Sequence, residues 1–213
     1  MLYEWIGALD EARSYDQEQY VSQKNDDHTE SPMIETCPIN GLLVVTPEKF
    51  TDERGFFSET YDARALAEAG FDKTFVQDNH SLSRQQGVLR GLHFQTPPFA
   101  QDKLVRVLKG AVLDVAVDLR PGSSTYGRHF AIELSAENWK QLLIPVGFAH
   151  AFCTLQPNTE VAYKVTAPYA PDHDAGLRWD DADLAIDWPL HRAPILSAKD
   201  AKLPLFADFT SPF

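Results

Sequence analysis

Two histidines, one tyrosine and a few cations carry most of the chemical potential of this 213-residue chain. His93 and His150 belong to a set of seven histidines, and an imidazole with an ordinary pKa of about 6.5 can take or give a proton near neutral pH without further tuning. Read alone, either one is more simply a core histidine with both ring nitrogens satisfied. Their surroundings add weight to chemistry. Arg54, Arg90, Lys103 and Lys199 are rare cations in an acidic chain, several of them beside the same predicted strands. A cationic pocket in a negative protein suits an anionic substrate such as a phosphate ester, although each cation taken singly serves equally well in a surface ion pair. By strand period Lys103 shares a face with Val105 and Val107, and Tyr163 with Val161 and Val165, so both polar groups sit beside apolar neighbours. A tyrosine so placed is more often a core residue than a catalytic one. Arg90 and His93 have opposite parity and would face opposite sides of a regular strand; a bend or bulge at Gly91 would bring them together.

The elements that must position these groups read as short strands. From Met33 onward, apolar runs are separated by Gly, Pro, Asp and Asn, which is the pattern of an antiparallel sandwich or barrel. Leu104 to Leu108, a Lys109-Gly110 turn and Ala111 to Leu119 predict a hairpin. Its second strand alternates Leu113, Val115, Val117 and Leu119 with Asp114, Ala116 and Asp118, so one face is apolar and the other carries acids. Further strands are expected at 130–134, 141–144, 150–155 and 161–166, with turns at Arg120-Pro121-Gly122, Pro145-Val146-Gly147 and Gln156-Pro157-Asn158. The one helix expected runs from Asp62 to Ala69, with Asp62 as N-cap and Gly70 as stop. This spacing predicts a mostly β protein, an antiparallel jelly-roll barrel with short peripheral helices.

Composition narrows the function classes. The chain is 44% apolar and 23% charged with a net charge of −12, which fits a soluble globular domain and disfavours nucleic acid or an anionic membrane as partner. Cys37 and Cys153 form no CxxC pair, so a reducing, cytoplasmic setting is expected rather than a disulfide framework or structural zinc. The opening MLYEWIGALDEARS has no basic start or apolar run, and no stretch approaches the length of a membrane span. Residues 1–32 hold eight acidic and two basic residues and end in a polar run, which predicts a poorly ordered acidic extension ahead of a single domain at 33–213. Trp5, Ile6, Leu9 and Ala12 can line one short helical stripe, or the segment is a frayed tail or an upstream start before Met33.

Pro145, Gly147 and His150 in a small jelly roll resemble the second motif of the cupin superfamily, whose metal-binding members add a His-x-His pair and a Glu. The corresponding stretch here is Arg90-Gly91-Leu92-His93-Phe94-Gln95, with one histidine and too few further ligands. No metal is therefore expected.

A longer set of motifs is more specific: Asp52-Glu53-Arg54-Gly55-Phe56-Phe57, Phe75-Val76-Gln77-Asp78-Asn79-His80-Ser81, VLRGLHFQ at 88–95, Lys103-Leu104-Val105-Arg106, LSAEN at 134–138, IPVGFAHAF at 144–152 and LSAKD at 196–200. In order and spacing these resemble the dTDP-4-dehydrorhamnose 3,5-epimerase family, over Met33 to about Pro204. The resemblance implies a cofactor-independent epimerase that inverts C3 and C5 of dTDP-4-dehydro-6-deoxy-D-glucose. It implies that His93 is the base, Asp200 the carboxylate paired with it, Tyr163 the proton donor on the other face, and Lys103 the cation beside the substrate. Arg54, Glu59, Arg90, His150, Asp174 and Lys199, with the run Gln77, Asp78 and Asn79, match positions that hold the nucleotide diphosphate and sugar. Tyr169 matches an aromatic that stacks on the thymine, and Phe57 helps enclose that base. Family members are homodimers, so Arg54 and Glu59 are candidates to serve a neighbouring subunit's site. Asp174 stands where the family commonly has Glu, and Trp139 and Ala151 replace commoner residues. Relatives of the same fold epimerise a single carbon of other deoxysugars, and that is the alternative reading.

Overall fold

Thirteen short strands, built from the period-2 runs of the sequence, are the main regular elements of the computed structural model, which describes residues 32–213. The acidic extension expected over residues 1–32, with its Trp5, Ile6, Leu9 and Ala12 stripe, lies outside the described residues except for Pro32. The strands are β1 (Met33–Thr36), β2 (Leu43–Thr46), β3 (Phe50–Asp52), β4 (Gly55–Phe57), β5 (Gln77–Ser83), β6 (Leu89–Gln95), β7 (Lys103–Lys109), β8 (Ala111–Asp118), β9 (His129–Ser135), β10 (Gln141–Ile144), β11 (Phe148–Thr154), β12 (Thr159–Val165) and β13 (Asp174–Gly176). Six of them form one antiparallel sheet in the order β1-β2-β10-β7-β12-β5, and five form a second in the order β13-β6-β11-β8-β9. The short β3–β4 hairpin stands apart as a two-stranded ribbon. Two antiparallel sheets face to face are the jelly-roll architecture that the strand spacing predicts.

The predicted hairpin between residues 104 and 119 is corrected. β7 and β8 do follow one another through Gly110, but they belong to opposite sheets and do not pair. Gly110, at φ +77°, turns the chain from one sheet to the other, and a Cβ there would meet the Thr159 hydroxyl at 2.4 Å. β7 instead lies between β10 and β12, and β8 between β11 and β9.

Strand alternation sorts the apolar residues into three layers. Val44, Val105, Val107, Leu142, Ile144 and Val161 from one sheet meet Val112, Ala116, Leu134, Phe148 and Phe152 from the other, filling the barrel. On the outer face of the five-stranded sheet, Leu92, Phe94, Val115, Val117, Ala149 and Cys153 are covered by Leu177, Leu184, Trp188, Phe206, Phe209 and Phe213 of the C-terminal segment. The outer face of the six-stranded sheet is covered in part by helix α1 (Ala63–Glu68), whose Leu66 packs with Leu43, Val45, Leu104, Leu143 and Phe71. α1 begins where expected, with the Asp62 carboxylate accepting from the Arg64 and Ala65 amides, and Gly70 follows its end at φ +95°. Both faces of β8 are thus buried, and its acidic face points into the barrel. No helix among the described residues is long and apolar enough to cross a membrane.

Candidate active site

Inward-facing positions near one end of the barrel carry polar groups in place of the valines that fill its middle. A cavity of about 260 Å³ opens there, lined by Ser81, Arg90, His93, Lys103, His150, Phe152, Tyr163, Ser197, Lys199 and Asp200. Its two walls come from the two sheets. β6 and β11 bring His93 and His150 side by side as cross-strand neighbours, while β7 and β12 bring Lys103 and Tyr163 from the opposite sheet, with Lys103 beside Val165 and Tyr163 beside Val105.

A bulge lets β6 deliver both Arg90 and His93. The register of β6 against β11 shifts between the pairs His93–His150 and Arg90–Phe152, which is the irregularity at Gly91 that their parity calls for. Gly91 sits at φ +114°, and a Cβ there would lie 2.5 Å from the His150 carbonyl oxygen and 2.7 Å from the Ala151 Cβ. Ala151, one of the departures from commoner residues, is the small neighbour against which this backbone packs.

The third contribution comes from the C-terminal segment. Ile195 bridges to Val88, the residue just before β6, its amide donating to the Gly87 carbonyl and its carbonyl accepting from the Leu89 amide. Five residues later a short 3-10 turn over Asp200–Lys202 places the buried Asp200 carboxylate 2.6 Å from His93 Nε2. A carboxylate only accepts, so His93 Nε2 carries the hydrogen and Nδ1 carries the lone pair. Burial pushes the Asp200 carboxyl upward, but the bonds from His93, Ser197 and the Gly91 amide outweigh it and hold the group below its ordinary value. It is the anion that orients and supports the imidazole.

Burial acts differently on the other three groups. It pushes Lys103 down to about 8, against the opposing pull of Asp114 and Asp174, and the ammonium donates to the His93 carbonyl at 3.3 Å. It lowers His150 despite the Asp114 carboxylate, whose two oxygens lie 2.9 and 3.1 Å from Nε2. It raises Tyr163, with Asp174 acting in the same sense and Arg90 opposing, so the phenol keeps its proton at neutral pH. The cavity therefore combines an oriented imidazole, a neutral phenol on the facing wall and a partly desolvated cation, a set suited to moving protons next to a developing oxyanion.

Other expected residues do not line the cavity themselves but are linked to it through Lys199. Lys199 pairs with Asp174, and Tyr169 donates its hydroxyl to the same carboxylate at 3.0 Å. Asp174, for all its shorter reach than Glu, makes both contacts directly. Gln77 accepts from the Tyr169 amide at 3.1 Å and donates to Asn79 at 2.9 Å. Four more expected residues have no such link to the cavity. The Asp78 side chain points to the outer face of its sheet and pairs with Lys164 at 2.9 Å, because it has the opposite parity to Gln77 and Asn79. Arg54, Phe57 and Glu59 lie exposed on and just after the β3–β4 hairpin, with the Arg54 side chain 86% exposed and paired to Asp52. That hairpin is steadied by Trp139, whose ring meets Phe56 edge-on at 5.1 Å, lies under the Lys49 ammonium at 3.8 Å and donates from Nε1 to Ser58.

Four residues around the site were given no role from the sequence. Ser81, Phe152 and Ser197 lie inside recognised motifs but carry no charge to single them out, and Asp114 stood out only as an acid within an apolar strand. Among the described residues no group of three or more His, Cys, Asp or Glu side chains is arranged to hold a metal ion.

The family described as dTDP-4-dehydrorhamnose 3,5-epimerase matches residues 36–208. The chain belongs to that family. It is 50% identical over 180 residues to the dTDP-4-dehydrorhamnose 3,5-epimerase of Sinorhizobium fredii, covering 84% of this chain and 92% of the relative. Among solved structures it is similar to dTDP-6-deoxy-D-glucose-3,5-epimerase from Legionella pneumophila in complex with dTDP-4-keto-L-rhamnose. The TM-score is 0.81 and the identity 45%, over 84% of this chain and 95% of that one. A 3'-monoepimerase from Streptomyces bikiniensis, solved in complex with dTDP-quinovose, is also similar, at a TM-score of 0.77 and 32% identity over 81% of this chain and 87% of that one. The dTDP-4-dehydrorhamnose 3,5-epimerase family is a family of isomerases with the jelly-roll fold described above.

Proposed function

We propose that this protein epimerises dTDP-4-dehydro-6-deoxy-D-glucose at C3 and C5 to give dTDP-4-dehydro-L-rhamnose, within dTDP-L-rhamnose biosynthesis. The observation that carries the reading is the His93–Asp200 pair on one wall of a cavity whose other wall holds Tyr163 and Lys103. The C4 ketone acidifies the C–H bonds on either side of it. His93 Nδ1 takes the proton, and the imidazolium that forms is stabilised by Asp200 through Nε2–H. The electron pair moves from the C–H bond toward the C4 oxygen, where the Lys103 ammonium stabilises the enolate in a largely dry site. Tyr163 then returns a proton to the same carbon from the opposite face, and solvent restores the phenol. Inversion follows because base and acid stand on opposite walls.

Arg90 and Lys199 at the mouth, joined by Arg54 from a second subunit, supply the charge that a nucleotide diphosphate requires. Tyr169, 58% exposed, offers a ring face for the thymine. The second reading, a single-carbon epimerase or ketoisomerase acting on another dTDP-4-keto-deoxysugar, rests on the fold shared with the 3'-monoepimerase.

Variants test the two roles. His93→Ala is expected to bind dTDP as the wild type does while losing on the order of 10² to 10⁴ in substrate proton exchange. Tyr163→Phe is expected to keep exchange better than inversion. Wild-type exchange by His93→Ala, or undiminished inversion by Tyr163→Phe, removes the corresponding assignment.

A further inference from the structure

We infer that Asp114 is a positioning residue of this site, fixing the tautomer of His150 and holding positive charge at Lys103. The inference rests on the epimerase reading above and adds a residue to it. Asp114 lies on the inward face of β8, fully buried, next to Ala116 in a stretch whose outward neighbours Leu113, Val115 and Val117 pack under the C-terminal segment. A buried carboxylate among valines is retained only when its charge and lone pairs are used. Here both oxygens accept from a single donor, His150 Nε2, at 2.9 and 3.1 Å. The carboxylate has no proton to give, so the ring must be the donor at Nε2. Burial keeps that ring neutral. Its Nδ1 is then an unprotonated acceptor, without a hydrogen-bond partner among the described residues, on a ring that lines the cavity. His150 is thereby equipped to accept a hydrogen bond from a sugar hydroxyl, in contrast to His93, whose lone pair meets a C–H bond.

Asp114 on β8 and Lys103 on β7 are both buried inside the barrel, and the carboxylate favours the charged form of the lysine. The charged or titratable groups that face this ammonium are Arg90 and His93 on β6, His150 on β11, Asp174 on β13, Tyr163 on β12, and Lys199 and Asp200 from the C-terminal segment. Of the carboxylates, Asp200 is engaged with His93, and Asp174 with Lys199 and Tyr169. Asp114 is the one held wholly inside the barrel, where a charge is least screened.

Two measurements decide it. Asp114→Asn keeps the shape and an oxygen that can accept from His150 Nε2–H, and removes only the charge. Its kcat/KM profile with dTDP-4-dehydro-6-deoxy-D-glucose is expected to lose its alkaline limb at least about half a pH unit earlier than the wild type, a roughly threefold larger deficit at pH 8.5 than at pH 6.5. An unmoved limb, with the same loss at every pH, overturns the effect on Lys103. In the wild-type protein, long-range ¹H–¹⁵N spectra are expected to show His150 as the Nε2–H tautomer at pH 7; the Nδ1–H tautomer overturns the positioning role. A wild type that binds dTDP but turns nothing over defeats the epimerase reading instead, and the tautomer still judges Asp114.

Discussion

Asp200 and Asp114 each hold a histidine by Nε2, yet the two imidazoles live in different surroundings. The His93 side chain is 32% exposed toward the cavity, whereas that of His150 is 7% exposed. The more open ring can exchange its proton with substrate and solvent, and the enclosed one is kept neutral by burial. Lys103 yields the clearest consequence of pH. Its ammonium loses its proton as the pH rises through about 8, so kcat/KM is expected to fall about tenfold per unit above that value; a flat profile to pH 10 would show that the cation is not needed. The sign of the stability effect is opposite. The unfolded chain holds this proton up to its ordinary value of 10.5 and the folded protein releases it at about 8, so wild-type stability should rise between those limits relative to Lys103→Met. Denaturant melts of both proteins at pH 7.5 and 10 check this.

Among the elements, β6 is the one on which the site depends most. Its bulge at Gly91 turns two residues of opposite parity into the same cavity. Gly91→Ala would need φ +114° and would drive its Cβ into the His150 carbonyl and Ala151, so a loss of roughly 3 kcal/mol or more is expected by denaturant titration, with turnover falling alongside it. Wild-type stability and activity in that variant would mean that the strand tolerates a regular register. The need for this bulge was legible in the sequence, since only a shift of parity lets Arg90 and His93 meet. Strand positions and the capped helix were legible too, because period-2 alternation and an Asp N-cap are local signals. The pairing of β7 was not. A Lys-Gly turn between two apolar runs looks the same whether the chain folds back within a sheet or crosses to another, and only the packing of the two sheets decides. The inward acids of β8 were visible as a pattern, but not that they face a barrel interior with His150 beside them.

For the whole molecule, the C-terminal segment both covers the outer face of the five-stranded sheet and brings Ser197, Lys199 and Asp200 to the site, so distant motifs meet only once the barrel is closed. A family resemblance can point to that convergence, whereas residue spacing along the chain carries no sign of it. Arg54 and Phe57 stand on an exposed hairpin that does not line the cavity, which makes them candidates to complete a neighbouring subunit's site. Mixing inactive Arg54→Ala and His93→Ala proteins under exchanging conditions is expected to restore about one quarter of wild-type sites if the residue acts across a two-fold dimer, and none if it acts within its own chain. The central claim is that one oriented base inverts two carbons. Its most direct test is proton NMR of the wild type with dTDP-4-dehydro-6-deoxy-D-glucose in D₂O, with a downstream reductase present to trap product. Loss of both the C3 and C5 proton signals, with trapped dTDP-L-rhamnose, is the predicted result; exchange confined to one carbon, or none, would contradict it.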